Sequence, residues 1–381
     1  MLIQIHFLQN YAPSNLNRDD TGSPKDAIFG GKRRGRISSQ CLKRSIRRSE
    51  TFEEAFREAG LLGTRTRLLP SLIKDELEKM LVGEDAIKII TEKVQTIGRE
   101  SRKGGEEEGE DNADTEETID TELETKQLIF IAPNEIPVLA ASLLELYQKV
   151  GEKAWKKMKS VDITKNLKTE LPKSIDIALF GRMTTSGAFE DVEASMQVAH
   201  AISTNALSEE FDYYTAVDDI SGQSGAGMIG DVEFNSSTYY KYMNIHWEGL
   251  VKNLGEDTMV ARQAVLALVE AAAIAHPSGK QNSFAAFNLP DFILVEVSEK
   301  NLPVSYANAF MKPVQATYDQ TLMDASIARF RDYVAQISSM YNLSPHRVYL
   351  SANEVEMIDA EKSDSLKSIK NWLSQHLPVK E

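Results

Sequence analysis

Apolar and polar positions along this 381-residue chain change period several times, and each change marks an element. Residues 2–8 read as a β-strand with polar residues inside it. Residues 11–35, rich in Gly, Asn, Asp and Ser, read as a long loop. A helix is expected from about 38 to 59. Ser38 or Ser39 can cap it, because a side-chain oxygen accepts a free amide of the first turn. Leu42, Ile46, Phe52 and Phe56 then recur at helical spacing. Residues 68–99 and 134–171 also look helical, the second stretch opened by Pro133 and Pro137 and closed by Pro172. Residues 174–180 read as β, since Ile175, Ile177 and Leu179 alternate. Residues 194–202 alternate as well, with Met196, Val198, His200 and Ile202 on one face.

Further along, a Gly-rich stretch at 218–230 lies between β-prone runs at 211–217 and 232–247, which predicts a long protruding hairpin. An alanine-rich helix at 257–276 is suited to close packing on a sheet. A strand at 292–297 and helices at 324–340 and 363–377 follow, with no internal repeat. Strand–helix–strand units interrupted by insertions imply an α+β fold with one compact core.

Composition first argues against a nucleic-acid binder. Apolar residues make up 42%, an ordinary globular share, but 57 acidic residues stand against 43 basic ones, a net charge of −14. The distribution reverses that argument. Residues 32–48 carry eight basic side chains (Lys32, Arg33, Arg34, Arg36, Lys43, Arg44, Arg47, Arg48) and no acidic one. Residues 106–124 carry eleven acidic side chains and no basic one, and without them the net charge would be −3. This acidic block, with Gly104, Gly105 and Gly109, reads as a solvated, mobile loop. The basic block runs from a loop into a capped helix, whose first turn offers free amides and a positive dipole end. Lys43 and Arg47 lie one turn apart, as do Arg44 and Arg48, and both pairs flank Leu42 and Ile46. That is a track for a polyanion, with contacts to phosphates that position without reading sequence. A solvated basic helix face is the plainer alternative.

Other signals are weaker. Gly225-Ala-Gly-Met-Ile-Gly230 has the letters of a dinucleotide fingerprint but precedes a β-prone run instead of a helix. Gly30-Gly31-Lys32 lacks the upstream Gly and the Ser or Thr of a phosphate loop. The six histidines are scattered, Cys41 is the only cysteine, and no Gly-x-Ser-x-Gly elbow occurs, so no metal, cofactor or serine nucleophile is signalled. Asp19-Asp20 and Asp218-Asp219 are adjacent pairs, poorly placed to share a metal because neighbouring strand residues face opposite ways. A lone cysteine, no signal peptide and no apolar run of membrane-spanning length lead us to expect a cytoplasmic protein with no membrane partner.

Several blocks, in order, carry a family likeness. They are Asn15-Leu-Asn-Arg-Asp-Asp20, Lys25-Asp-Ala-Ile-Phe-Gly-Gly-Lys-Arg-Arg34, Arg36-Ile-Ser-Ser-Gln40 and Leu42-Lys-Arg44. Asp176-Ile-Ala-Leu-Phe-Gly-Arg-Met183, Thr185-Ser-Gly187, Ala199-His-Ala-Ile202, Tyr214-Thr-Ala-Val-Asp-Asp219 and Ala285-Ala-Phe-Asn288 follow. From about residue 3 to residue 312 the chain resembles the CasC-type backbone subunit of the type I-E CRISPR Cascade, departing from it at the acidic stretch 101–125. The resemblance implies an α+β hand with a modified RNA-recognition-motif (ferredoxin-like) palm, formed by residues 1–60, 173–204 and 238–381. It implies helical fingers at 61–172 and a β-hairpin thumb at 205–237. It also implies a non-catalytic protein that stacks head to tail along a CRISPR RNA, kinks it at intervals and leaves its bases to pair with target DNA. Its partners would be that RNA, further copies of itself, other Cascade subunits and a target-degrading nuclease. By position, Lys25, Ser38, Gln40 and Lys43 match guide-backbone contacts, and Met183 and Thr215 match residues at the displaced base. An unbranched apolar wedge suits that place, although Met183 reads as a core residue without the resemblance. Charge alone adds Lys32, Arg33, Arg34, Arg36 and Arg44. The rival reading is a metal-dependent ribonuclease, as in related type III backbone subunits, using Asp19, Asp20, Asp218 or Asp219.

Overall fold

Every residue from Leu2 to Gln9 is buried, with Gln4, His6 and Gln9 among them. The strand they open, β1 (Leu2–Ser14), therefore lies inside a sheet covered on both faces, and its apolar run need not alternate. The computed structural model describes residues 1–97, 124–125, 128–167, 173–183, 188–217 and 226–379. The chain forms two compact units. One comprises Met1–Ala55, Met196–Glu248 and Thr258–Glu381, the other Phe56–Ser195 and Gly249–Asp257.

In the first unit β1 pairs antiparallel with β10 (Phe292–Ser298) on one side and β9 (Ala226–His246) on the other. Beyond β10 come β11 (His346–Ser351) and β12 (Glu361–Lys362). Beyond β9 come β7 (Ala201–Ser203), β3 (Lys32–Ile37) and β2 (Asp26–Phe29). β6 (Met196–Val198) and β8 (Glu210–Val217) also pair with β9. Side chains alternate across this sheet. Tyr240 and Tyr242 of β9 pack with Phe292, Leu294, Phe310 and the helix α12 (Leu322–Tyr341), which brings Ile327, Phe330 and Val334. Lys241, between those tyrosines, points the other way and donates to the Ala272 carbonyl of α10 (Thr258–Ile274) at 3.3 Å. The small side chains Ala261, Ala264, Ala271 and Ala272 of α10 are all buried. On the α12 face, Glu296 is fully buried and accepts from Arg347 at 2.7 Å and Tyr306 at 3.1 Å, with His6 at 3.2 Å. Burial alone would raise its carboxyl pKa; bonding to and charge from His6 and Arg347 hold it below the ordinary value. Helices α11 (Gln281–Phe284) and α13 (Leu366–His376) complete this unit.

The second unit is mainly helical: α3 (Leu69–Lys79), α4 (Glu84–Val94), α5 (Glu135–Val150), α6 (Glu152–Lys157), α7 (Ser160–Thr164) and α8 (Ile175–Phe180). A two-stranded ribbon of β4 (Thr64–Thr66) and β5 (Ile129–Ile131) joins them. Leu69, Ile73, Leu77, Ile87, Ile90, Leu143 and Leu146 form a core with Trp155. The Trp155 indole N–H donates to the Ile89 carbonyl at 3.2 Å, so burying the ring leaves no unmet donor.

Several expectations need correction. The helix at 38–59 is two helices, α1 (Ser39–Arg47) and α2 (Glu50–Arg57), because the Ser49 hydroxyl accepts from the Phe52 N–H and starts a new helix. The loop at 11–35 holds the end of β1, all of β2 and the start of β3. Residues 174–180 are not β: Ile175–Leu179 are buried on every side as α8, so alternation carries no information there, and Gly181 at φ +79° ends the helix. Residues 194–202 do not keep one face. Val198 pairs with Met243 and Ile202 with Tyr240, four steps against three, so an extra residue turns Ala201 and Ser203 inward while His200 stays exposed. Residues 210–217 and 226–246 pair as β8 and β9, with Glu210 opposite Phe234 and Val217 opposite Ala226, and residues 226–230 of the Gly-rich stretch are strand. Helix α9 (Trp247–Asn253) follows β9 directly. Residues 106–123 of the acidic block and the hairpin tip at 218–225 lie outside the described residues. Among the described residues no helix is long and apolar enough to cross a membrane.

Candidate nucleic-acid interface

The β2–β3 hairpin turns on Gly30 and Gly31, both at positive φ, 60° and 72°. A Cβ on Gly30 would lie 1.9 Å from the Met311 carbonyl oxygen. The Gly-Gly-Lys run is thus a tight hairpin tip. β3 leads into α1, so the basic block is half strand and half helix, and its cations meet different environments.

Arg34 is fully buried. Its Nη1 donates to the Ser203 and Thr204 carbonyls at 2.8 and 3.0 Å, and its Nη2 to the Phe310 and Met311 carbonyls at 2.7 and 3.2 Å. It ties β3 to two other segments and has no surface to offer a phosphate, which removes it from the candidate contacts. Arg33 is exposed but paired with Asp26 and Glu209, carboxylates from outside the block. Lys32 is exposed near the hairpin tip with no ion pair among the described residues.

The remaining candidates gather around Asn17. The Asn17 carbonyl accepts from the Lys25 N–H at 2.8 Å, and its side-chain oxygen accepts from the Ser38 N–H at 2.8 Å. The Lys25 carbonyl accepts from the Arg36 N–H at 2.9 Å, while Arg36 Nε donates to the Asp26 carbonyl at 2.9 Å. Ser38 caps α1: its hydroxyl accepts from the Cys41 N–H at 3.3 Å, and the residue is buried. Lys25, Arg36, Gln40 and Lys43 therefore surround the first turn of a capped helix, where the backbone also favours an anion. Among the described residues Lys25, Arg36 and Lys43 have no ion pair. Burial lowers the Lys43 pKa. His200, whose Nδ1 accepts from the Ser39 N–H at 3.2 Å, is lowered by burial and then by the positive field of Arg36 and Lys25. Asn17 and His200 belong to this site. The sequence signalled them only as members of the quoted blocks, with no charge to mark them.

Leu42 and Ile46 are the buried stripe of α1. Arg44 is exposed and lines a cleft beside α1 together with Asn17, Arg18 and Cys41, so it adjoins the Asn17 cluster. Thr215 is exposed on β8, opposite Ile229, with Phe211, Tyr213 and Tyr214 exposed beside it. Met183, in the second unit, is 92% exposed and not a core residue. Its neighbour Arg182 holds it out: Arg182 is buried, grips Glu135 at 2.6 and 2.8 Å and donates to the Phe130 and Glu190 carbonyls. Among the described residues no group of three His, Cys, Asp or Glu side chains is placed to hold a metal. One Asp19 oxygen accepts from Thr21 and Ser23, and Asp218 and Asp219 lie outside the described residues.

A family model described as CT1975-like protein matches residues 3–375. A search of curated proteins finds no match. Among solved structures, a chain of a "CRISPR RNA-guided surveillance complex, pre-nicking" superposes with a TM-score of 0.78 at 28% identity, over 99% of this chain and 100% of that one. A chain of a "CRISPR RNA-guided surveillance complex" has the same fold, with a TM-score of 0.63 at 23% identity over 99% of each chain.

Proposed function

We propose, from the premise that this chain belongs to the CT1975-like protein family, that it is an RNA-binding backbone subunit of a CRISPR RNA-guided surveillance complex. The observation that carries this reading is the cluster of Lys25, Arg36, Gln40 and Lys43 around the capped first turn of α1, without a pairing carboxylate among the described residues. The full-length likeness to a chain of such a complex supports it. In its finer form the complex is a type I-E Cascade. Residues 1–60, 173–204 and 238–381 are an RNA-recognition-motif-like palm, 61–172 the fingers and 205–237 the thumb. Copies stack head to tail along the guide, a contact that does not close on itself and so makes a helical array. Exposed Met183 and Thr215 sit at displaced bases of the kinked RNA. Base pairing with target DNA then reads sequence, while this chain reads backbone. The chain acts as a scaffold, and a separate nuclease component degrades the target.

Charge reversal tests the track. The Lys25→Glu, Lys43→Glu variant is expected to bind single-stranded RNA about 100-fold more weakly at moderate salt. The slope of log affinity against log salt should flatten by roughly 1.4, two contacts at about 0.7 each. Fluorescence anisotropy across a salt titration measures both, with circular dichroism to verify folding. An unchanged affinity and slope would reject the track.

A further inference from the structure

Towards the edge of the sheet opposite β2 and β3, two histidines from different elements come together. His346 opens β11 and is exposed, and His376 closes α13 and is partly exposed. Their ring centres are 5.2 Å apart, with the planes tilted by 49°. A zinc-like ion bonds an imidazole nitrogen at about 2.0–2.1 Å. Two such bonds span rings at this separation, so one ion can be shared between a nitrogen of each. Neither histidine has an ion pair among the described residues.

His376 is held as a metal ligand is held. A carbonyl can only accept, so its Nδ1–H donates to the Trp372 carbonyl at 2.8 Å, and in the neutral ring the lone pair lies on Nε2. A donating second nitrogen is the usual support behind a ligating histidine, because it fixes the tautomer and the ring direction. The ring also stacks on the Trp372 indole, 3.9 Å between centres at 27°. Trp372 is buried, and its indole N–H donates to Glu361 of β12 at 2.9 Å. Turning the His376 ring away would break both of its contacts. His346, being exposed, lets solvent supply the remaining ligands. Two imidazole nitrogens completed by water suit Cu²⁺, Ni²⁺ or Zn²⁺, whereas Mg²⁺ and Ca²⁺ take oxygen ligands.

We propose that His346 and His376 chelate a late first-row divalent transition-metal ion, Cu²⁺ more tightly than Ni²⁺ or Zn²⁺, and so clamp α13 to β11. No third His, Cys, Asp or Glu completes the set among the described residues, so binding is reversible. Both histidines belong to the first compact unit. An ion that bridges them binds the folded chain alone and stabilises it. The site shares no residue with the Asn17 cluster, so either can fail without the other.

Trp372 makes the site its own reporter, because Cu²⁺ and Ni²⁺ quench a neighbouring indole and Zn²⁺ does not. The full chain is titrated with each of the three chlorides and with MgCl₂, by tryptophan fluorescence and by calorimetry. Cu²⁺ is expected to quench at the lowest concentration, Zn²⁺ to reverse the quenching by competition, and Mg²⁺ to do neither. His346→Ala and His376→Ala are each expected to weaken binding at least about tenfold, the loss seen when even a supporting partner of a metal ligand is removed. Trp372→Phe is expected to keep the heat of binding and lose the quenching. Zn²⁺ should raise the melting temperature of the wild-type chain and leave that of both histidine variants unchanged. Binding that survives both histidine substitutions lies elsewhere on the chain and overturns the proposal. A loss in one variant alone overturns the shared ion, and equal binding of Mg²⁺ overturns the imidazole ligands.

Discussion

Lys241 lies under the sheet with no ion pair among the described residues: its ammonium is 3.3 Å from one carbonyl and 4.8 Å from the Phe7 ring centre. Burial pushes its pKa from 10.5 down to about 7. Between those two values the unfolded chain holds a proton that the folded chain has released, so this group makes stability rise with pH across that window. Lys241→Met, which keeps the length of the side chain, is expected to stabilise the protein at pH 7 by on the order of 3 kcal/mol. The gain should shrink as pH approaches 10.5. Denaturant titrations at pH 7 and pH 10 check this, and a gain independent of pH would show that packing, not charge, limits the site. Residue type alone does not reveal such environments. Lys241 and Arg34 are buried, whereas Lys25 and Lys43, of similar chemistry, stand at the surface track at intermediate exposure. What separates them is the strand partner and the layer above, neither of which is local in sequence.

At the scale of elements, the β2–β3 hairpin sets the direction in which α1 begins. Gly31 at φ +72° has open space around it, whereas Gly30 combines φ +60° with the Met311 carbonyl 1.9 Å from a built Cβ. Gly31→Ala should cost about 1–2 kcal/mol, the left-handed penalty alone. Gly30→Ala should cost at least twice that and loosen the Arg34 cross-link. Paired thermal melts measure the difference, and equal losses would mean the Met311 contact is not limiting. Regular elements were legible where period and length agreed, as for α10, α12, β10 and the β8–β9 hairpin. They were illegible where burial on every side erased the period, as at Ile175–Phe180. They were also illegible where one inserted residue turned the face over between Val198 and Ile202.

For the whole molecule, net charge misled and its distribution informed. The basic block at 32–48 contributes Arg36, Gln40 and Lys43 to the candidate interface, yet only some of its cations remain available. Asp26 and Glu209 meet Arg33, and four carbonyls enclose Arg34. The sequence lists no acid inside the block, but folding brings in acids from elsewhere in the chain. The ordered motifs from residue 15 to residue 288 carried the family, and the match over residues 3–375 bears that out at the level of the CT1975-like family. The type of complex and the stacking of copies go further than family membership. The most direct test is the mass of assemblies formed on two defined RNAs, one longer than the other by a few tens of nucleotides. Native mass spectrometry reads the number of chains per RNA. A scaffold that stacks along its guide predicts more copies on the longer RNA, rising by one for each fixed increment of length. A single copy on both, or no RNA-bound chain at all, would contradict it.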